Sequence, residues 1–197
     1  TAEEDLEEPL KESMKKRLPW LLILLVLGMV VSSVIGLFEN VISELTLVVL
    51  FQSVILDMAG NSGTQSLAVT IRVLMDENLT AKQKIGHVIK EVRVGGCNGL
   101  VLGIASCALI GVYIALFKGY GFQMAFAVSS CVGVSLALSM MISSAVGTLI
   151  PMFFSKIGVD PAVASGPLIT TANDLIAVIT YYSLAWLLLI NVLHLGG

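Results

Sequence analysis

Charge is what this sequence has least of: 13% of its 197 residues are Asp, Glu, Lys or Arg, where soluble domains carry about 25%. That scarcity excludes an ordinary solvated domain. The three cysteines, Cys97, Cys107 and Cys131, are scattered through apolar segments without CxxC spacing. They encode neither a zinc site nor a redox motif and read as small packing residues. His87 and His194 have no neighbouring ligand types and read as surface residues. No GxxxxGK[ST] loop is present to cradle a nucleotide, which weighs against an ATP-driven pump. HExxH and paired protease-type aspartates are missing too, so an enzyme is not expected. Nor is a nucleic-acid partner expected, and the formal net charge of −3 by itself says little.

What is abundant is hydrocarbon. Hydrophobic residues make up 56% of the chain, and the mean hydropathy is +0.94. A membrane-spanning helix needs about 20 mostly apolar residues, and such runs fall at 18–38, 45–74, 94–117, 122–154 and 162–195. They do not alternate as the lipid-facing strands of a barrel would, and residues 21–27 are apolar on every side. The expected fold is an all-α membrane protein with five transmembrane helices, several long enough to tilt or to contain an irregular turn.

The few cations are unevenly placed. Lys11, Lys15, Lys16 and Arg17 precede the first run, and Arg72, Lys82, Lys84, Lys90 and Arg93 lie between the second and third. Lys156 lies between the fourth and fifth, and Lys118 alone falls on the other side. Because Lys and Arg are retained on the cytoplasmic face, we expect a multi-pass plasma-membrane protein with its N-terminus inside and its C-terminus outside. Residues 1–18, acidic through Glu12 and then basic, read as a cytoplasmic linker or connecting-helix remnant, with the transmembrane domain at 19–197. The first run has no small-x-small cleavage pattern after it and is not a signal peptide. The chain begins at Thr1 without an initiating Met, which suggests a segment of a longer protein. Within 72–93, a short surface helix is expected after the N-cap Thr80.

Against this background two carboxylates stand out. Asp174 lies near the middle of the last apolar run, and Asp57 lies in the second, just before Ala59-Gly60-Asn61-Ser62-Gly63-Thr64-Gln65. An ionised acid at the bilayer centre costs about 2.5–3.5 kcal/mol even on the lenient insertion scale, so such residues normally face a cavity, a partner or an ion. No Lys or Arg occupies the central part of any run, which leaves a bound metal ion as the simplest compensation. On a helix Asp57, Asn61, Thr64 and Gln65 share one face. Such an oxygen-rich stripe suits a hard divalent cation or its hydration shell. The alternative is that these polar groups bond between helices while Gly60 and Gly63 permit close packing.

In the last run Thr170 and Thr171 precede Asp174 by four and three positions and share its helical side. Pro167 frees the carbonyl of Val163 to face a cavity. Here the alternatives are a kinked helix whose Asp174 bonds a neighbouring hydroxyl, or a proton relay. Both segments pair a carboxylate with helix-weakening residues, Gly60 and Gly63 in one and Gly166 and Pro167 in the other. Interrupted segments of this kind point to ion sites in membranes, because unwound backbone is tolerated at depth only where protein or water covers it.

These residues resemble the membrane domain of the MgtE family of magnesium channels, which is related to a family of eukaryotic solute carriers. The resemblance rests on residues 59–66, Ala-Gly-Asn-Ser-Gly-Thr-Gln-Ser, and on Gly158-Val159-Asp160-Pro161-Ala162 followed by Ser165, Pro167, Thr171 and Asp174. It extends from Pro19 onward. It implies a homodimer of five-helix protomers in the lipid bilayer, with one ion path at the interface lined by the second and fifth helices. It places Asp174 as the central pore carboxylate, binding Mg²⁺ largely through retained water. Backbone carbonyls near Gly166 and Thr170, with Asn61 and Thr64, would complete the metal site, and Asp57, Gln65 and Thr171 would also line the pore. Two features depart from the family pattern: Ala59 stands where a glycine is common, and Asp57 is an extra acid that would suit a second ion site. The cytoplasmic superhelical and CBS modules that sense magnesium in the family are represented by no more than residues 1–18.

The expected function is passive, potential-driven Mg²⁺ uptake through a channel, with other divalent cations as further candidates. An inside-negative potential supplies about 2.3 kcal/mol per charge per 100 mV, and roughly twice that for a divalent ion. A Na⁺- or H⁺-coupled secondary transporter using Asp57 and Asp174 is the alternative. A membrane anchor without transport would leave both acids merely structural.

Overall fold

The computed structural model describes residues 9–76, 78–160 and 166–194. The elements among them are all helical: α1 (Leu10–Gly36), α2 (Glu39–Glu44), α3 (Thr46–Leu50), α4 (Gln52–Leu74), α5 (Ala81–Phe117), α6 (Phe122–Lys156) and α7 (Gly166–Leu184). α7 continues into a π-helical stretch, Ala185–Val192. The acidic residues 1–8, residues 161–165 with the Val163 carbonyl, and the C-terminal residues 195–197 lie outside the described residues.

Apolar length sets the frame. The helices Leu10–Gly36, Ala81–Phe117, Phe122–Lys156 and Leu168–Val192 are long and apolar enough to cross a membrane. α4 has 23 residues, about 34 Å at 1.5 Å per residue, against a hydrocarbon thickness of about 30 Å. Its hydropathy is lower because Asp57, Asn61, Thr64 and Gln65 interrupt the apolar sequence.

The second apolar run is not one helix, but its breaks fall elsewhere than the glycines suggested. They occur at Leu45 (φ −129°, ψ 72°) and Phe51 (φ −103°, ψ 2°), while α4 runs unbroken through Gly60 and Gly63. The turns fold Val41, Leu45, Leu47 and Val48 into the core. At the second break the Val48 carbonyl accepts from the Phe51 N–H at 3.3 Å and, through its other lone pair, from the Tyr181 hydroxyl of α7 at 2.7 Å.

Thr80 caps α5 as expected, in a capping box where Gln83 Oε1 accepts from the Thr80 backbone N–H at 2.9 Å. The helix that follows is not short. With no proline between Ala81 and Phe117 it continues for 37 residues, about 55 Å, merging the polar connection with the third apolar run. His87 is accordingly half-buried rather than a surface residue, and its Nε2 lies 3.0 Å from Thr70 Oγ1. Thr70 commits its one hydroxyl proton to the Ser66 carbonyl at 2.7 Å, so His87 is the donor in this link between α4 and α5.

α6 is the central post, with α4, α5 and α7 packed around it. α5 and α6 approach at Gly103 and Gly133, where a Cβ on either glycine would meet the other's carbonyl oxygen at 2.5 Å. Small residues bring helix backbones together in this way and maximise van der Waals contact in lipid. α1 is peripheral: none of its residues is buried. Residues 10–18, part of the expected linker, belong to this same rod. Its end is tied down by Phe38, which stacks on Tyr182 with ring centroids 5.5 Å apart. Of the cysteines, Cys131 is buried, Cys107 partly buried, and Cys97 exposed, so the packing role holds for Cys131 and only in part for Cys107.

Candidate functional site

α4 and α7 enclose an open cleft of about 280 Å³ whose lining includes Asp57, Gly60, Asn61 and Thr64 from α4 with Thr170 and Asp174 from α7. Residues more than 100 positions apart in the chain thus share one polar surface within otherwise apolar helices. Six water molecules at about 30 Å³ each occupy roughly 180 Å³, so the cleft has room for a hexahydrated cation.

The hydrogen bonding leaves oxygen lone pairs facing that space. Thr64 Oγ1 donates to the carbonyls of Gly60 and Asn61, each at 3.0 Å, and Thr170 Oγ1 donates to the Gly166 carbonyl at 3.2 Å. A hydroxyl has one proton and two acceptor lone pairs, so each threonine can offer the cleft only an acceptor. Asn61 Nδ2 donates one of its two protons to Asp57 Oδ2 at 3.3 Å, which holds the amide in place and leaves its carbonyl oxygen free to accept. Acceptors of this kind suit the protons of metal-bound water. Among the described residues no three His, Cys, Asp or Glu side chains cluster as a direct metal cage.

Residues 52–184, the segment that contains both walls of the cleft, match the family model MgtE, described as a divalent cation transporter. The chain belongs to the MgtE family. The magnesium transporter MgtE of Enterococcus faecalis is 38% identical over 183 residues, covering 93% of this chain and 38% of the relative. The magnesium transporter MgtE of Bacillus subtilis is 36% identical over 170 residues, 86% of this chain and 36% of its own length. That of Thermus thermophilus is 37% identical over 174 residues, 88% and 36% respectively. The chain therefore spans under two fifths of these relatives, and its all-helical, multi-span architecture accords with a membrane transporter family.

Within this MgtE membrane region, not every expected site residue reaches the cleft. Gly166 touches it indirectly, through its carbonyl bond to Thr170. Thr171 is half-buried, does not line the cleft, and is engaged in an interaction of its own. Gln65 lines a separate cleft between α4, α5 and α6. The one-face argument placed it with Asp57, but a shift of eight residues turns a straight α-helix about 80° beyond two full turns. That rotation carries Gln65 toward α5.

Asn173 is the residue that sequence reasoning passed over. It is fully buried, and neither atom of its amide has a hydrogen-bond partner among the described residues. The signal was present, since a buried amide in an apolar run is costly for the same reason as its neighbour Asp174. Asn173 is seated against α4: a Cβ on Gly63 would lie 2.0 Å from its Nδ2. Gly147 of α6 closes the same junction, where a Cβ would meet the Gly63 carbonyl oxygen at 2.2 Å. At the other end of α7, Tyr181 is bonded to Val48 and Tyr182 donates to Gln52 Oε1. α7 is thus held at two levels, with Asp174 beside the lower one.

Proposed function

We propose that this chain is the ion-conducting membrane part of a magnesium channel, in which Mg²⁺ moves passively down its electrochemical gradient. The observation that carries the reading is the convergence of Asp57, Asn61, Thr64, Thr170 and Asp174 on one cleft roomy enough for a hydrated cation. Asp174 is the central carboxylate. It holds Mg²⁺ through retained water, because Mg²⁺ sheds its inner waters reluctantly and usually keeps several of them. Asp57 adds a second negative charge that attracts a divalent ion more than a monovalent one.

α4 serves as a fifth span, its polar face turned to the ion path and its apolar face to the other helices. Two protomers assemble as a homodimer with the clefts facing each other across a two-fold axis. The open side of each cleft, a poor arrangement beside lipid, then becomes the wall of a shared aqueous path. The N-terminus lies in the cytoplasm, a reading that the placement of Lys and Arg supports, and the C-terminus lies outside. The names of the three relatives support magnesium as the ion carried.

The test is Mg²⁺ uptake into proteoliposomes under an imposed inside-negative potential. Wild-type protein takes up Mg²⁺ without Na⁺ or a proton gradient, and Asp174→Ala abolishes the flux while the protein remains folded. Flux unchanged in Asp174→Ala overturns the role of the carboxylate. Uptake that requires Na⁺ or H⁺ overturns the channel.

A further inference from the structure

A second polar cleft, about 400 Å³ in volume, lies on the other side of α4 and is lined by Asn61, Gln65 and Ser62 with Asn98 of α5 and the thioethers of Met58 and Met140. Its chemistry is unusual for its place between apolar helices. α5 is one of the helices long and apolar enough to cross a membrane, yet it presents an amide here, facing two more amides from α4. Among the described residues neither the Gln65 nor the Asn98 side chain has a hydrogen-bond partner, and both residues are exposed on the protomer. Transfer of an unpaired amide to hydrocarbon is unfavourable, so two such groups in one cleft call for a polar occupant.

Three features narrow the occupant. The lining residues include no Lys or Arg and no carboxylate, so neither an anion nor a tightly held bare cation is favoured. Amide oxygens accept hydrogen bonds from metal-bound water, and the volume exceeds that of six waters, roughly 180 Å³ at about 30 Å³ each. The two clefts also share a wall: Asn61 lines both, and its amide is bonded to Asp57, which places a negative charge one helical turn away. We infer that the Asn61–Gln65–Asn98 cleft is a second, weaker station for a hydrated divalent cation, joined through Asn61 to the Asp57–Asp174 cleft. It holds the ion with its water shell intact, through neutral oxygens, and so releases it readily. This rests on the reading of the α4–α7 cleft as a cation path, and the experiment separates the two.

Mn²⁺ serves as the probe, with the full chain in lipid nanodiscs. Bound Mn²⁺ is titrated by its paramagnetic resonance signal in wild type, in Asp174→Asn and in the double variant Gln65→Leu/Asn98→Leu. The expected result is a tight and a weak class of sites in wild type. Asp174→Asn removes the tight class, and the double variant removes the weak class while leaving the tight affinity within about twofold, because the substitutions do not alter the carboxylates. Loss of the tight class alone in both variants, or a weak class untouched by the double variant, overturns the second station. If Asp174→Asn leaves the tight class intact but the double variant removes the weak one, the α4–α7 reading fails and the second station stands. Should the double variant not fold, Gln65→Glu decides the matter. It should tighten the weak class about tenfold, since charged hydrogen bonds exceed neutral ones by about 1 kcal/mol or more, and no tightening overturns the proposal. A double variant that shifts subunit association without changing Mn²⁺ occupancy also overturns it, by showing that the amides meet a second copy of the chain.

Discussion

Asn173 lies against Gly63 with no space between them: a methyl group on that glycine would come within 2.0 Å of the Asn173 Nδ2. Because Asn173 and Asp174 are consecutive on α7, their side chains project about 100° apart. Seating the amide in the junction of α4 and α6 turns the carboxylate toward the cleft. The contact of this glycine with the buried amide thus sets the rotation of α7 at the level of Asp174, as Tyr181 and Tyr182 do farther along the helix.

Three glycine-to-alanine changes should separate on this basis. Gly147→Ala places a Cβ 2.2 Å from the backbone oxygen of Gly63, which only a shift of the helices can relieve, and should destabilise by about 1–3 kcal/mol or more. Gly63→Ala forces the fully buried Asn173 side chain to move, with a similar loss and a misdirected Asp174. Gly60→Ala meets nothing within 4 Å and should keep or slightly raise thermal stability, since Ala exceeds Gly in a helix by about 1 kcal/mol. Thermal unfolding in detergent, followed by Mg²⁺ flux on the folded variants, checks the order.

Asp57→Asn should weaken cation binding without abolishing it. The charge is removed, but the side chain keeps an oxygen and its place beside Asn61. Half-saturation for Mg²⁺ flux should rise by about tenfold, well short of the complete loss expected of Asp174→Ala. Equal damage from both changes would show that the two carboxylates act as one unit.

Tyr181→Phe removes a bond of 2.7 Å and leaves the Val48 carbonyl with only the longer one, 3.3 Å, from the Phe51 N–H. Losing one of two hydrogen bonds to a buried carbonyl costs about 0.5–1.5 kcal/mol. The expected outcome is a lower unfolding temperature with cation binding retained, because this contact lies at the end of α7 away from Asp174. An unchanged melting curve would mean that another donor replaces the phenol.

Gly103→Leu should separate α5 from α6. A Cβ at Gly103 already meets the Gly133 carbonyl at 2.5 Å, and a leucine would push the helices apart along their most extensive contact. The variant should accumulate poorly in the membrane and lose compactness, which limited proteolysis in detergent reads directly.

The α4–α7 cleft could be foreseen in its parts better than in its membership. Asp57, Asn61, Thr64 and Asp174 draw notice because polar groups in apolar runs are costly, and that argument needs no partner to be known. Gln65 met the same criterion yet faces another cleft, since a helix rotates its side chains by more than a shared-face argument over eight residues allows. Gly60 and Gly63 looked alike in sequence but differ entirely in surroundings, one open and one in contact with Asn173 and α6. The small-residue spacing Gly95, Gly99, Gly103 was available in the sequence as a packing signal. It was hidden by attention to polar residues.

Composition and hydrophobic run length by themselves determined that this chain is helical, suits a membrane and carries acids that are costly in apolar surroundings. These are consequences of transfer free energy, which each segment expresses independently of the others. Which oxygens share a cleft, which glycines are contact points, and where the second apolar run breaks were decided only by tertiary structure. They depend on the rotation and register of one helix against another, set by contacts between residues such as Gly63, Gly147 and Asn173 that are distant in the chain.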